Sequence, residues 1–192
     1  MSAAAPVRDH CLAPSRTVET GSRYGRMFPE LPRLWVDDDA LLALGVTGGI
    51  CDGGVACVDG EGAAGWPIFG QFIAHDITAD RSPLTLNADP EGLLNFHAPR
   101  ANLEPLYGAG PAGEPYLYTR ADPAKFLLGT AHDHPRNPEG IAIIGDPRND
   151  VHFFAARLHT AFVRAHNGLV DRLREDGVAE PLLFEDARRA TT

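Results

Sequence analysis

The chain has 192 residues, 44% of them hydrophobic, and a formal net charge of -9 at pH 7. This length can bury one sizeable core, so we expect a single domain over residues 1–192. An acidic surface repels phosphate backbones and anionic lipids, which argues against nucleic-acid and membrane partners and favours a small substrate. No run approaches the roughly 18 apolar residues of a membrane span, and residues 1–10 lack a signal-peptide pattern, so a cytoplasmic location is expected.

The first third of the chain shows little apolar periodicity. Residues 1–34 contain four prolines and no sustained period, which predicts an extended N-terminal arm. A short helix is expected over residues 37–44, where three consecutive aspartates favour a helix N-terminus and Gly45 ends it. The glycine-rich residues 48–65 that follow predict a surface loop.

Residues 66–78 give the first strong helical pattern. Pro67 suits a first helical turn, and an apolar side is formed by Ile68, Phe72 and Ile73. Gln71 and His75 are four residues apart, so a helix would place their side chains one above the other beside this apolar side. An imidazole and an amide that converge on an apolar hollow can hold a polar ligand.

The remaining chain contains one long helical pattern. Residues 80–140 are rich in turn-forming residues and predict irregular structure around three tyrosines: Tyr107, Tyr116 and Tyr118. Residues 150–175 have apolar positions at three- and four-residue steps, and Gly177 ends this helix. Strand patterns are weak throughout, so the expected fold is mainly α and rich in loops, with a core built from a few helices.

Several strings of the sequence, in order, resemble those of one enzyme family. The strings are Tyr24-Gly25-Arg26-Met27-Phe28-Pro29-Glu30-Leu31-Pro32, Gly70-Gln71-Phe72-Ile73-Ala74-His75-Asp76, Pro115-Tyr116-Leu117-Tyr118, Gly145-Asp146-Pro147-Arg148-Asn149-Asp150 and Leu158-His159-Thr160-Ala161-Phe162 with His166-Asn167. They are similar to the animal-type haem peroxidases of the peroxidase-cyclooxygenase superfamily, in particular to bacterial members. The resemblance covers only the N-terminal, distal half of that helical fold.

The resemblance implies an enzymatic role for three residues. His75 matches the distal histidine, which takes a proton from hydrogen peroxide bound at haem and returns it to the leaving oxygen. Arg148 matches the distal arginine, whose cation stabilises negative charge as the O–O bond breaks. Gln71 matches the distal glutamine, which orients a ligand above the iron. The expected activity is a haem peroxidase that oxidises a small reductant with hydrogen peroxide, with all three residues at the haem.

Some positions depart from the family pattern. Mammalian members bind haem through esters of an Asp before the distal His and a Glu after the distal Arg, and these positions are Ala74 and Val151 here. The resemblance therefore implies non-covalent haem b. The family's calcium site is also altered, because Ala98 replaces a hydroxyl ligand. The other matching positions can still offer oxygen ligands to calcium; they are Asp76, Arg100, Asn102 and Glu104. The alternative is a loop that is held by hydrogen bonds alone.

The iron ligand of the opposite, proximal side is not identifiable in this sequence. In the family it lies on a helix far beyond the distal arginine, and haem iron needs such an axial ligand. Two hypotheses follow. One is a peroxidase whose proximal half comes from a second subunit or from a part of the polypeptide outside this sequence. Self-association is another way in which the apolar helix faces could be covered. The other is a degenerate, haem-free member that serves as a binding or assembly module.

The other histidines suggest weaker alternatives. His159 and His166 match helix positions that are structural in the family. With His152 they form a series of histidines spaced seven residues apart on one helix face, which is a weak metal-site pattern. His132 and His134 lie in a predicted loop and are a further, weak metal-site candidate.

Overall fold

The computed structural model describes residues 24–25, 27–32, 34–52, 61–79 and 93–192. The chain divides into two compact units, one of residues 25–66 and one that joins Tyr24 to residues 67–192. The arm predicted over residues 1–34 and the loop predicted over 48–65 lie partly outside the described residues. The single domain expected over residues 1–192 stays a prediction.

The described residues are mainly helical, as the sequence predicts. Their regular structure consists of α-helices and short 3-10 segments, with isolated β-bridges that include Tyr118 with Phe126 and Arg136 with Ala142. The α-helices are α1 (Asp38–Gly45), α2 (Gly65–Ile77), α3 (Glu104–Tyr107), α4 (Gly110–Gly113), α5 (Phe153–Glu175) and α6 (Leu183–Thr191). The 3-10 segments are Pro115–Leu117, Pro147–Asp150 and Glu180–Leu182.

Helix α1 belongs to the smaller unit, and its position agrees with the predicted helix at 37–44. The Asp37 side chain caps it by accepting a hydrogen bond from the Asp39 backbone N–H at 3.0 Å. Such a cap satisfies one of the backbone donors that the first turn leaves free, and the acidic first turn suits the helix dipole.

Helix α5 begins slightly later than its predicted range of 150–175. The 3-10 segment Pro147–Asp150 comes first, with the Asp146 carboxylate accepting from the Arg148 backbone N–H at 2.9 Å. The backbone at His152 is extended, with φ -153°, and this residue caps α5. At the other end Gly177 has φ +85°, a left-handed conformation that glycine adopts without strain and that ends helices.

The main core of the larger unit lies where α2 and α3 pack on α5. Phe72 of α2 is 2% exposed, and its ring stacks on Phe162 of α5 with centroids 5.1 Å apart. Burying one such aromatic side chain contributes about 1.5–3 kcal/mol. A second cluster of Val170, Leu183 and Ala187 fixes α6 on the C-terminal part of α5. Apolar residues of the two helices predicted around the candidate site therefore meet in this core.

Within the described part of the chain, no helix is long and apolar enough to cross a membrane.

Candidate functional site

The side chain of His75 is held through one ring nitrogen by Asn149. The His75 Nδ1 lies 2.8 Å from Asn149 Oδ1, and Asn149 Nδ2 lies 3.1 Å from His159 Nδ1. An amide oxygen only accepts and an amide nitrogen only donates, so His75 carries its proton on Nδ1 and His159 accepts on Nδ1. Asn149 is fully buried, whereas His75 is half-buried. The arrangement leaves the Nε2 lone pair of His75 as its proton acceptor.

Gln71 is held in a similar way by His152. The Gln71 Oε1 is 2.9 Å from His152 Nε2, which must donate to it. The other ring nitrogen of His152, Nδ1, accepts from the Ala155 backbone N–H at 3.2 Å and so caps α5. His152 thus ties the start of α5 to the middle of α2. Because the carbonyl oxygen of Gln71 is engaged, its NH₂ group is the end that can donate to a ligand.

Arg148 lies at the C-terminal end of α2, where the helix has free backbone carbonyls. Its Nη2 donates to the carbonyl oxygens of His75 at 2.8 Å and Thr78 at 2.6 Å. The same guanidinium forms an ion pair with Asp146 at 2.8 Å. From the other side, His97 Nδ1 donates to the His75 carbonyl at 2.9 Å. The structure therefore brings Arg148 to the backbone of His75 and directs its charge toward Asp146 and the helix end.

The electrostatics of this helix end depend on Asp146, which is 2% exposed. Burial alone would raise the pKa of Asp146, but the side-chain and backbone hydrogen bonds from Arg148 outweigh it and hold the pKa below its usual range. His97 is also buried, and its Nε2 lies 3.7 Å from the Asp146 carboxylate. The carboxylate consequently stays ionised at neutral pH and fixes the Arg148 cation beside the helix end.

The residues predicted to bind calcium form a hydrogen-bonded loop. Both carboxylate oxygens of Asp76 accept backbone N–H groups, from Leu103 and Glu104, each at 2.8 Å. Asn102 Oδ1 also accepts from the Glu104 N–H, at 3.2 Å, and the Arg100 N–H donates to the Ala98 carbonyl at 2.7 Å. Burial raises the pKa of Asp76, against the lowering effect of these N–H donors. The calcium site stays a prediction, and the loop already has a network that holds Asp76.

The remaining histidines are distributed between the interior and the surface. His159 and His166 are buried, in keeping with the structural role expected of them, and burial lowers the pKa of His159 to about 3. His166 accepts from the Tyr107 hydroxyl at 3.0 Å through Nδ1. His134 is buried, whereas its neighbour His132 is exposed. Among the described residues, no group of three or more His, Cys, Asp or Glu could hold a metal ion.

Exposed apolar side chains follow directly on the site residues in sequence. Val151 is 63% exposed, and Phe153 and Phe154 at the start of α5 are 64% and 60% exposed. Ala74, next to His75 on α2, is exposed as well. Ala74 and Val151, the positions that the resemblance matches to haem attachment, therefore carry small or apolar groups at the surface of the larger unit.

Sequence reasoning missed the residues that orient the predicted ones. The sequence does not indicate a site role for Asn149, Asp146 or His97, and it presents His152 only as part of the series of histidines on one helix face. Asn149 and Asp146 lie in the string that carries Arg148, which was the one available signal. Nothing in the spacing of His97 or His152 indicates which residue each of them contacts.

Comparisons with known proteins identify the fold. No protein-family model matches the sequence. No curated protein matches it either. Solved structures do match. Fatty acid alpha-dioxygenase of Arabidopsis thaliana is 18% identical with a TM-score of 0.50, covering 65% of this chain and 24% of that one. An Oryza sativa fatty acid alpha-dioxygenase variant with palmitic acid is 17% identical with a TM-score of 0.50, covering 65% and 25%.

These likenesses confirm the predicted fold class. The chain shares the mainly helical peroxidase-cyclooxygenase fold of these neighbours, and it spans about a quarter of their length.

Proposed function

We propose that this chain forms the distal side of the active site of a haem-dependent oxidoreductase that reacts with hydrogen peroxide. The observation that carries the proposal is the fixed pair at α2: His75 with an available Nε2 acceptor, and Gln71 with an available NH₂ donor. The fold supports it, because the alpha-dioxygenases that this chain resembles belong to the animal haem peroxidase superfamily.

The donor and acceptor pattern suits a hydroperoxide ligand. Hydrogen peroxide has two O–H protons, one of which His75 Nε2 could accept, and oxygen lone pairs to which the Gln71 amide can donate. His75 would take the proton from one peroxide oxygen and deliver it to the other, which still carries its own proton, so that water leaves as the O–O bond breaks. Haem, when bound, supplies the electrons for that cleavage. His75 itself returns to its starting protonation state.

Arg148 contributes a fixed positive charge to this scheme. Its guanidinium bonds to the carbonyl oxygen of His75, so the charge lies close to the acid-base residue throughout the reaction. A cation held by an ionised, buried Asp146 does not need to reorganise when charge develops. Arg148 therefore acts on His75 through the electric field of its charge and by fixing the C-terminal end of α2.

The residues present fit haem b on one side only. The exposed apolar groups and the Gln71–His75 pair would hold haem b and its ligand if the cofactor were bound, and Ala74 and Val151 cannot form ester bonds. His97, His159 and His166 are all buried within the core, and both ring nitrogens of His166 are bonded there. We therefore propose that the axial ligand is supplied by a second polypeptide or by further chain, which would also cover Val151, Phe153 and Phe154.

The oxidised substrate is proposed to be a small molecule. A phenolic reductant is the first compound to assay, and palmitic acid is the second, since one neighbouring structure holds that fatty acid.

A haem-free assembly module is the second candidate function. It is favoured by the engagement of Arg148 with Asp146 and the end of α2, because these bonds give the residue a structural role that needs no haem. The two candidates differ in whether His75 affects any reaction.

Haem titration of the complete assembly, followed by absorption spectroscopy, tests the proposal. We expect a Soret band, haem that acidified organic solvent extracts, and reaction with hydrogen peroxide. His75→Ala should keep its haem and react about 10²-fold more slowly, the usual scale of acid-base catalysis. His132→Asn, at an exposed position whose left-handed backbone asparagine tolerates, is the matched control and should react like the parent. An assembly without a Soret band, or a His75→Ala variant as fast as the parent, would favour the assembly module.

A further inference from the structure

A small, partly open cavity is lined in part by His159. Its volume is about 20 Å³, which is enough for a single water molecule. Most of its lining is apolar, and its polar lining consists of Asp133, His134, His159 and Thr160. The two imidazole rings meet edge to face with centroids 4.9 Å apart. A water molecule in such a place needs at least two polar partners, and the rings can provide them.

His134 contributes a buried acceptor. The Thr160 hydroxyl donates to the Ala156 carbonyl oxygen at 2.9 Å, so it accepts from His134 Nδ1 at 3.3 Å. With its proton on Nδ1, a neutral His134 has a lone pair on Nε2. This side chain is 4% exposed, its ring lies near the Asn149 backbone, and its Nε2 makes no hydrogen bond of 3.5 Å or shorter among the described residues. Leaving such a group without a partner costs about 1–3 kcal/mol.

His159 contributes the matching donor. Its Nδ1 accepts from Asn149 Nδ2, so the neutral ring carries its proton on Nε2. Burial lowers the pKa of His159 to about 3 and also lowers the pKa of His134, so both rings are neutral at pH 7. A donor nitrogen and an acceptor nitrogen thus belong to two rings that line the same water-sized cavity.

We propose that one ordered water molecule in this cavity accepts from His159 Nε2–H, donates to His134 Nε2, and so links His134 to the tautomer of His75. The linked chain runs from His75 Nδ1–H through Asn149, His159, the water, His134 and Thr160 to the Ala156 carbonyl oxygen. Every link donates in the same direction, and neighbouring hydrogen bonds of this kind strengthen one another.

This series of hydrogen bonds makes His134 a positioning residue for His75. If the amide of Asn149 were reversed, its nitrogen would donate to His75 Nδ1 and the His75 proton would move to Nε2. That tautomer cannot accept a proton from a ligand. The backbone carbonyl oxygen of Ala156 can only accept a hydrogen bond, so every donor in the series points toward it. At the other end of the series, this direction leaves the proton of His75 on Nδ1 and its Nε2 free. The catalytic consequence rests on the proposed function, whereas the tautomer itself does not.

The test records two-bond ¹⁵N–¹H correlation spectra of histidine-labelled protein without haem, so its outcome is independent of haem binding. In the parent, His75 should be almost wholly the Nδ1–H tautomer, and a long-lived water should show cross-relaxation with the His159 ring. His134→Phe should lower the Nδ1–H population of His75 by a fifth or more. His132→Asn should leave it unchanged, because His132 is exposed and its left-handed backbone, with φ +64°, suits asparagine.

The proposal is overturned if His75 keeps its parental tautomer in His134→Phe, or if no long-lived water is found beside His159. Should His134→Phe fail to fold, Thr160→Val breaks the next link with almost no change of shape and is read in the same way. A parental tautomer in a folded Thr160→Val variant overturns the proposal equally.

Discussion

Replacing His152 with alanine removes two hydrogen bonds at once, and their loss can be measured separately. The Nδ1 atom caps α5 by accepting from the Ala155 N–H at 3.2 Å, and a lost cap costs about 1 kcal/mol. The Nε2 atom donates to Gln71 at 2.9 Å, and one such bond contributes about 0.5–1.5 kcal/mol. His152→Ala should therefore lower the free energy of unfolding by about 1.5–2.5 kcal/mol.

The matched variant is His152→Asn. Asparagine is among the best N-cap residues, so it should restore the bond to the Ala155 N–H, but its side chain is too short to reach Gln71 as well. We expect it to recover about 1 kcal/mol of the loss. Urea unfolding followed by far-ultraviolet circular dichroism gives both values for the 192-residue chain.

The same variants separate stability from the site. Because Gln71 loses its partner in both, peroxide reactivity of the assembled enzyme should fall equally in His152→Ala and His152→Asn, although only alanine loses the cap. The reasoning is refuted if His152→Ala costs less than about 0.5 kcal/mol, or if the asparagine variant is no more stable than the alanine variant.

Further perturbations probe the core, the histidines and the calcium loop. Tyr107→Phe should lower the free energy of unfolding in urea by about 1–3 kcal/mol, because it leaves the buried His166 Nδ1 without its donor. Tyr116→Phe, at an exposed side chain, should lower it by less than about 0.5 kcal/mol, and equal losses in the two variants would contradict this expectation. The pKa of His159 is lowered from 6.5 to about 3 on folding, so the unfolded chain protonates first as the pH falls. Stability should be fully present above pH 6.5 and decline below it, by up to about 1.4 kcal/mol per pH unit for this group, and equal urea midpoints at pH 7 and pH 5 would rule the effect out. Chelation of calcium should change the thermal midpoint little, because both oxygens of Asp76 already accept backbone N–H groups; a large drop would show that the loop binds the ion.

Local patterns in the sequence determined the helices. The apolar spacing at 66–78 and 150–175 predicts α2 and α5 because a helical face repeats every three to four residues whatever the rest of the chain does. Gly177 ends α5 for an equally local reason, its left-handed backbone. The sequence also indicated Gln71 and His75, since residues four apart on one helix lie on one face.

Tertiary structure alone decided what those residues contact. Asn149 is 74 positions from His75, and His152 is 81 positions from Gln71, so each contact depends on how α2 and α5 pack. Arg148 shows the same limit, because its string predicted a charged group near the site but not its bonds to Asp146 and to two carbonyls of α2. A helix depends on the spacing of residues that are neighbours in the sequence, whereas the tautomer of a histidine ring depends on partners that only the folded core brings within hydrogen-bond distance.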